Sequence, residues 1–165
     1  YMLYIGLESG DDEILKAVKK NITVDEMILG VKKAKKNGLK TSVTLISGLG
    51  GKECLREHSL KSAWAVSQMN PDYVGFLTLM VNKGTEMEQT ITEGKLTLLT
   101  PYDSANELKL FLENVDSKGT VFRSNHASNY LVLRGTLNED IPKMLNQIEF
   151  AKDMGYFRKE WDRRQ

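Results

Sequence analysis

The carboxylate of Glu8 stands where chemistry is expected. It closes the run Tyr4-Ile5-Gly6-Leu7-Glu8 and is followed by Ser9-Gly10-Asp11-Asp12-Glu13-Ile14-Leu15. An apolar strand, a carboxylate, a small turn and an acidic helix start place Glu8 at the carboxyl end of a strand. Parallel α/β folds bind their ligands there. A carboxylate at such an end can take two hydrogen bonds from a pair of ribose hydroxyls. It can equally be a helix-start carboxylate favoured by the macrodipole.

The other strand ends complete the candidate mouth: residues 47–51, 80–83 and 123–128. Gly48-Leu49-Gly50-Gly51 lets backbone approach a ligand closely. It has neither the phosphate-loop spacing nor a dinucleotide fingerprint, so a plain strand-to-helix turn explains it as well. Arg123, Asn125 and His126 lie in a dense polar cluster. That cluster suits an anionic or hydroxylated substrate, or a turn satisfied by its own Ser and Asn side chains. His58 and His126 are the only histidines, and neither has a metal-ligand partner at helical spacing. His58, near a helix start, reads as a surface residue. Cys54 has no base beside it and reads as inert. Most lysines read as solvated helix faces. Lys20 ends the first helix, about two turns or more from Glu8, and could swing toward the mouth of the sheet.

These residues need a scaffold, and hydrophobic periodicity supplies one. Residues 2–7 form a nearly all-apolar strand, expected to be buried on both faces. Ser9 with Asp12, and Thr23 with Glu26, have capping spacing before two helices. Residues 41–46 and 73–81 give the second and third strands. A helix over 58–69 between them turns Leu60, Ala63, Trp64 and Met69 inward. Thr100-Pro101 opens a further helix. Residues 120–123 form a fourth strand, and Thr136 with Glu139 caps a last helix. The charged tail after Gly155 reads as frayed. Regular strand–helix alternation predicts an α/β fold with a parallel sheet and right-handed crossovers.

The chain has 165 residues, 41% hydrophobic and 27% charged, with a formal net charge of +1. It fits one domain, and its charge gives no general field for nucleic acid. One cysteine excludes an internal disulfide and a multi-thiolate metal site. No apolar run reaches the roughly 18 residues of a membrane span. A cytoplasmic setting is expected, with no membrane partner.

Three stretches together resemble the radical S-adenosylmethionine superfamily. They are residues 6–15 followed by Val18-Lys19-Lys20, Val43-Thr44-Leu45-Ile46-Ser47-Gly48-Leu49-Gly50-Gly51-Lys52-Glu53, and Pro71-Asp72-Tyr73-Val74-Gly75-Phe76-Leu77-Thr78-Leu79-Met80. The similarity is to the branch of elongator-type, oxygen-independent coproporphyrinogen oxidase-type and methylthiotransferase-type proteins. It implies parallel β/α units forming the second half of a partial (β/α)6 TIM-like barrel. Residues 1–81 would hold strands four to six, and 82–165 a carboxyl-terminal extension. The resemblance assigns the cofactor's ribose to Glu8 and its carboxylate to Lys20. Thr44 falls at a position that is often a ribose ligand. Ile46, Gly48 and Leu49 pack on the adenine, with Met80 and Val81 bordering it. The family's Cys-x3-Cys-x2-Cys loop, which holds a [4Fe-4S] cluster, is absent from this sequence.

The chain therefore reads as an inactive fragment of a radical S-adenosylmethionine iron–sulfur oxidoreductase. The parent would bind S-adenosylmethionine and the cluster, and the isolated chain neither. Its partners would be the missing amino-terminal half and a substrate the sequence does not name, with dimerisation expected through an open sheet edge. Two other readings stand beside it. One is a clusterless α/β binding or scaffold domain; the other is part of an unrelated barrel enzyme that uses Glu8 as acid or base.

Overall fold

The computed structural model describes residues 1–164. Its order is β1 (Met2–Glu8), α1 (Asp12–Ala17), α2 (Val24–Lys36), β2 (Lys40–Ser47), α3 (Leu55–Met69), β3 (Tyr73–Thr78), α4 (Glu86–Thr92), α5 (Pro101–Asn114), β4 (Val121–Arg123), β5 (Arg134–Thr136) and α6 (Ile141–Met154). A 3-10 turn over Glu160–Arg164 follows. The fold is α/β, as expected. Strands β1 to β4 run parallel in the order β1-β2-β3-β4, and β5 is added antiparallel to β4.

Period-two alternation in the strands explains the layering. In β2, Thr41, Val43, Leu45 and Ser47 are buried, while Ser42, Thr44 and Ile46 are only partly covered. β3 repeats this with Val74, Phe76 and Thr78 buried. The buried side meets a row of helices that pack in the sequence α2, α3, α5 and α6. Successive side chains point to opposite faces, so one face makes the core and the other stays open. The core centres on Phe76, Phe111 and Phe122. Phe76 and Phe111 meet edge-on with centroids 4.8 Å apart, a geometry aromatic quadrupoles favour.

Helix ends follow local chemistry. Thr23 and Glu26 form a full capping box on α2, and Thr100 with Asp103 forms another on α5. Other ends differ from expectation. Asp11, not Ser9, caps α1, its carboxylate accepting from Glu13 N–H. Thr136 caps nothing, because it lies in β5; its own N–H instead donates to Asp140 at 2.7 Å.

Several burial expectations need correction. β1 is not buried on both faces: Met2, Leu3 and Tyr4 are 38%, 39% and 75% exposed. Among the described residues it pairs only with β2, so its other edge carries no partner there. Trp64 is half-exposed rather than inward. It follows the buried Ala63 by one residue, and one helical step of about 100° carries it off the core stripe. His58 is fully buried, and the tail after Gly155 folds back so that Arg163 is buried. The tail is held by Arg158, whose guanidinium donates to the carbonyls of His126, Ala127 and Asn129. Among the described residues no helix is long and apolar enough to cross a membrane.

Candidate functional site

Glu8 owes its position to a break in β1. The pairing with β2 slips between Gly6 and Glu8, and Glu8 adopts φ +63°. A positive φ is costly for a residue with a side chain and tends to mark sites where geometry serves a purpose. The break turns the Glu8 carboxylate back over its own strand. Glycine at position 6 leaves room for this, because a Cβ there would sit 2.1 Å from Glu8 Oε1 and push the carboxylate aside.

Lys20 reaches the same spot. It follows α1 and the left-handed Lys19, which has φ +60°. Lys20 Nζ donates to the Gly6 carbonyl and to Glu8 Oε1, the latter at 3.1 Å. Both side chains are about three-quarters covered. Glu8 Oε2 has no hydrogen-bond partner among the described residues. The Glu8 carboxylate is thus mostly covered, with one oxygen available.

Glu8 and Lys20 line a groove of about 520 Å³ together with Val18, Ile46, Leu49, Met80 and Val81. Charged groups stand at one end, and apolar side chains from the ends of β2 and β3 form the walls. Asn82, Thr85 and Met87 also border it. Lys19 Nζ, 2.6 Å from the Glu86 carboxylate, ties α1 to α4 across that border. Both partners are mostly exposed, so this tie is weak.

The remaining candidates lie elsewhere. Thr44 sits one register pair from the groove, opposite Gly6 on the open face of the sheet. Gly48, at φ +82°, lines an adjoining smaller cavity with Met80. Arg123, Asn125 and His126 are exposed at the end of β4 and join neither cavity. Their loop serves β3: Ser128 Oγ accepts from Thr78 N–H, Thr78 Oγ1 donates to Asn129, and Asn129 Nδ2 donates to the Phe76 carbonyl. Among the described residues no group of three or more His, Cys, Asp or Glu could hold a metal ion.

The fold of this chain recurs in a solved structure. The archaeal Methanocaldococcus infernus Elp3, with its amino terminus deleted, matches it with a TM-score of 0.63 and 20% identity. The match takes in 93% of this chain and 36% of the archaeal one. The chain therefore spans little more than a third of the length of that protein. The superposition shows a shared fold. No family model matches the sequence, and no curated protein sequence does.

Sequence reasoning missed a buried polar cluster directly behind the Gly48 turn. Glu107, on α5, accepts the Gly48 N–H with both carboxylate oxygens at 3.1 and 3.2 Å. Burial pushes Glu107 up to about 7, while Ser47 and the Gly48 amide hold it back. His58 Nδ1 bonds Ser9 Oγ at 2.8 Å, and its Nε2 is buried without a partner among the described residues. Burial drives His58 down to about 4, opposed by the Ile46 carbonyl and by the charge of Asp11. The two side chains approach to 3.9 Å. With the imidazole neutral this is not an ion pair. The signal for Glu107 was available: Ser104, Glu107, Leu108 and Phe111 form one helical stripe, and all four are buried.

Proposed function

We propose that this chain supplies the nucleoside side of an S-adenosylmethionine site in a radical S-adenosylmethionine enzyme. The observation carrying this reading is convergence. Glu8, Lys20, Ile46, Leu49 and Met80 are far apart in sequence yet line one groove at the carboxyl ends of parallel strands. The fold shared with an archaeal Elp3 supports the same reading.

The groove fits the cofactor chemically. Glu8 would accept the ribose hydroxyls, using the oxygen that Lys20 leaves available. Lys20 would hold the cofactor's carboxylate, and Ile46, Leu49 and Met80 offer apolar walls to the adenine. Thr44 would act from β2 and Gly48 from the turn that follows it. S-adenosylmethionine, when bound, brings the carbon–sulfur bond whose reductive cleavage defines the family's chemistry. The residues present do not fit a [4Fe-4S] cluster, because Cys54 is the only thiol. Cluster ligands would come from another part of the same protein, whose strands would pair with the open edge of β1. Residues 1–81 then correspond to strands four to six of the barrel.

The single cysteine favours a second reading, a clusterless domain that binds a nucleoside in the same groove. A Cys-x3-Cys-x2-Cys segment encoded upstream decides for the first, and its absence for the second. The site itself is tested in the full-length protein by titration calorimetry with S-adenosylmethionine. Glu8→Ala removes charge-assisted hydrogen bonds of about 1.5–3 kcal/mol each, so affinity should fall at least about tenfold. Unchanged affinity removes Glu8 from the site.

A further inference from the structure

A smaller cavity adjoins the groove and is not used by the reading above. It encloses about 110 Å³ and is bounded by Ser47, Gly48, Thr78, Met80, Tyr130 and Arg163. Arg163 is only 4% exposed. A guanidinium stripped of water needs partners around its whole fork, because unpaired buried charge is costly. Most of the fork is served. Nε donates to the Ser128 carbonyl at 2.6 Å, Nη1 donates to both Glu160 oxygens at 2.8 and 2.6 Å, and the Tyr130 ring lies 3.7 Å from Cζ. Nη2 is served differently. Its partner is the Met80 thioether at 3.4 Å, a weak acceptor.

The Glu160 carboxylate also accepts from Tyr130 Oη at 3.1 Å. It is held at the cavity by two donors, although its side chain is 59% exposed. A mostly solvated carboxylate gripped by a buried arginine occupies the place of a ligand that could be exchanged for it.

We propose that this cavity is a carboxylate subsite anchored by Arg163 and Tyr130, where Glu160 is a resident stand-in displaced by a small carboxylic acid. Size sets the ligand. A cavity of about 150 Å³ takes a benzene-sized molecule, so 110 Å³ suits an acid of about four or five heavy atoms. The resident group sets its class. A guanidinium fork pairs bidentately with carboxylate or phosphate alike, and the group to be replaced, Glu160, is a carboxylate. Exchange is neutral in charge: one carboxylate leaves for water as another enters. Met80 borders both cavities, so the bound acid would lie beside the nucleoside groove.

The test follows the Arg163 Nε–H resonance of the full chain by NMR while acetate or propionate is added at constant ionic strength. Acetamide is the uncharged control. Saturable shifts at Arg163 with both acids and none with acetamide are expected. Glu160→Gln removes the competitor and should tighten acetate binding at least about tenfold. Glutamine keeps an amide oxygen as acceptor for Arg163 Nη1, and circular dichroism checks that this variant is folded, so the test survives if Arg163→Met, expected to abolish binding, fails to fold. Equal response to acetamide, shifts that never saturate, or unchanged affinity in Glu160→Gln would each overturn the proposal. No S-adenosylmethionine is present, so failure here leaves the groove reading intact.

Discussion

The buried His58–Glu107 pair makes a prediction whose sign can be worked out. In the unfolded chain the carboxyl titrates near 4.5 and the imidazole near 6.5. Between those values the unfolded pair holds one proton, on the histidine. Folding pushes Glu107 up to about 7 and His58 down to about 4. The folded pair again holds one proton across that window, now on the carboxyl. Stability depends on pH only where the two states hold different numbers of protons. The pair as a whole is therefore nearly silent, although each member is strongly displaced. Single neutral substitutions should unmask the two halves with opposite signs. Glu107→Gln leaves His58 with a depressed value. Its unfolded state then binds more protons between about 4 and 6.5, so stability relative to the native protein rises with pH. His58→Gln leaves Glu107 with a raised value. Its folded state binds more protons between about 4.5 and 7, so relative stability falls as pH rises. At about 1.4 kcal/mol per pH unit each trend spans about 3 kcal/mol. Urea unfolding followed by circular dichroism at pH 4.5, 5.5, 6.5 and 7.5 reads both, and the difference from native protein cancels every other titrating group. Trends of the same sign, or none, would refute the proton exchange.

Gly6→Ala should leave stability little changed, because the atom it meets is the end of a flexible side chain. It should displace the Glu8 carboxylate and weaken S-adenosylmethionine binding nearly as much as Glu8→Ala, by calorimetry in the full-length protein. Phe111→Ala removes the ring that meets both Phe76 and Phe122 and should cost about 3–5 kcal/mol in urea unfolding. The unpaired apolar edge of β1 should make the isolated chain self-associate at micromolar concentration, and Tyr4→Lys should shift light scattering toward monomer. A monomeric mass for the unmodified chain would remove that edge as an interface.

The parts legible in the sequence were those governed by local periodicity. The three long strands, the capping boxes of Thr23 and Thr100, and the α/β alternation each follow from spacing within a few residues. What escaped was decided by contacts across the fold. His58 looked exposed because a helix start is usually solvated; here the ends of β1 and α5 close over it. Trp64 was placed inward on its chemistry, whereas its angle on α3 turns it out. The edge position of β1 depends on what pairs beside it, which its apolar composition cannot report. The tail looked frayed because its residues are charged, and only the folded partners of Arg158 and Arg163 show why it stays down. β5 was unreadable at three residues, since it exists by pairing with β4.

The mouth of the sheet holds two kinds of charge, and the Gly48 turn divides them. On the groove side, Glu8 and Lys20 remain partly wetted, so they can trade partners with a ligand at small cost. Behind the turn, His58 and Glu107 are dry and essentially uncharged over much of the pH range between 4 and 7. A neutral backing matters for the groove. A full carboxylate at Glu107 would add negative potential close to any anionic ligand group, whereas a carboxyl that keeps its proton up to about 7 does not. The carboxyl group still takes the Gly48 amide, which holds the turn at the positive φ that seats Leu49 on the groove wall. Replacing Glu107 by an apolar residue would free that amide inside the protein and leave it without water or partner. By that logic Glu107→Leu should loosen the turn and raise hydrogen exchange at Gly48. Glu107→Gln keeps an acceptor and should leave that exchange close to native. Equal protection in the two variants would mean that the turn holds its shape without Glu107.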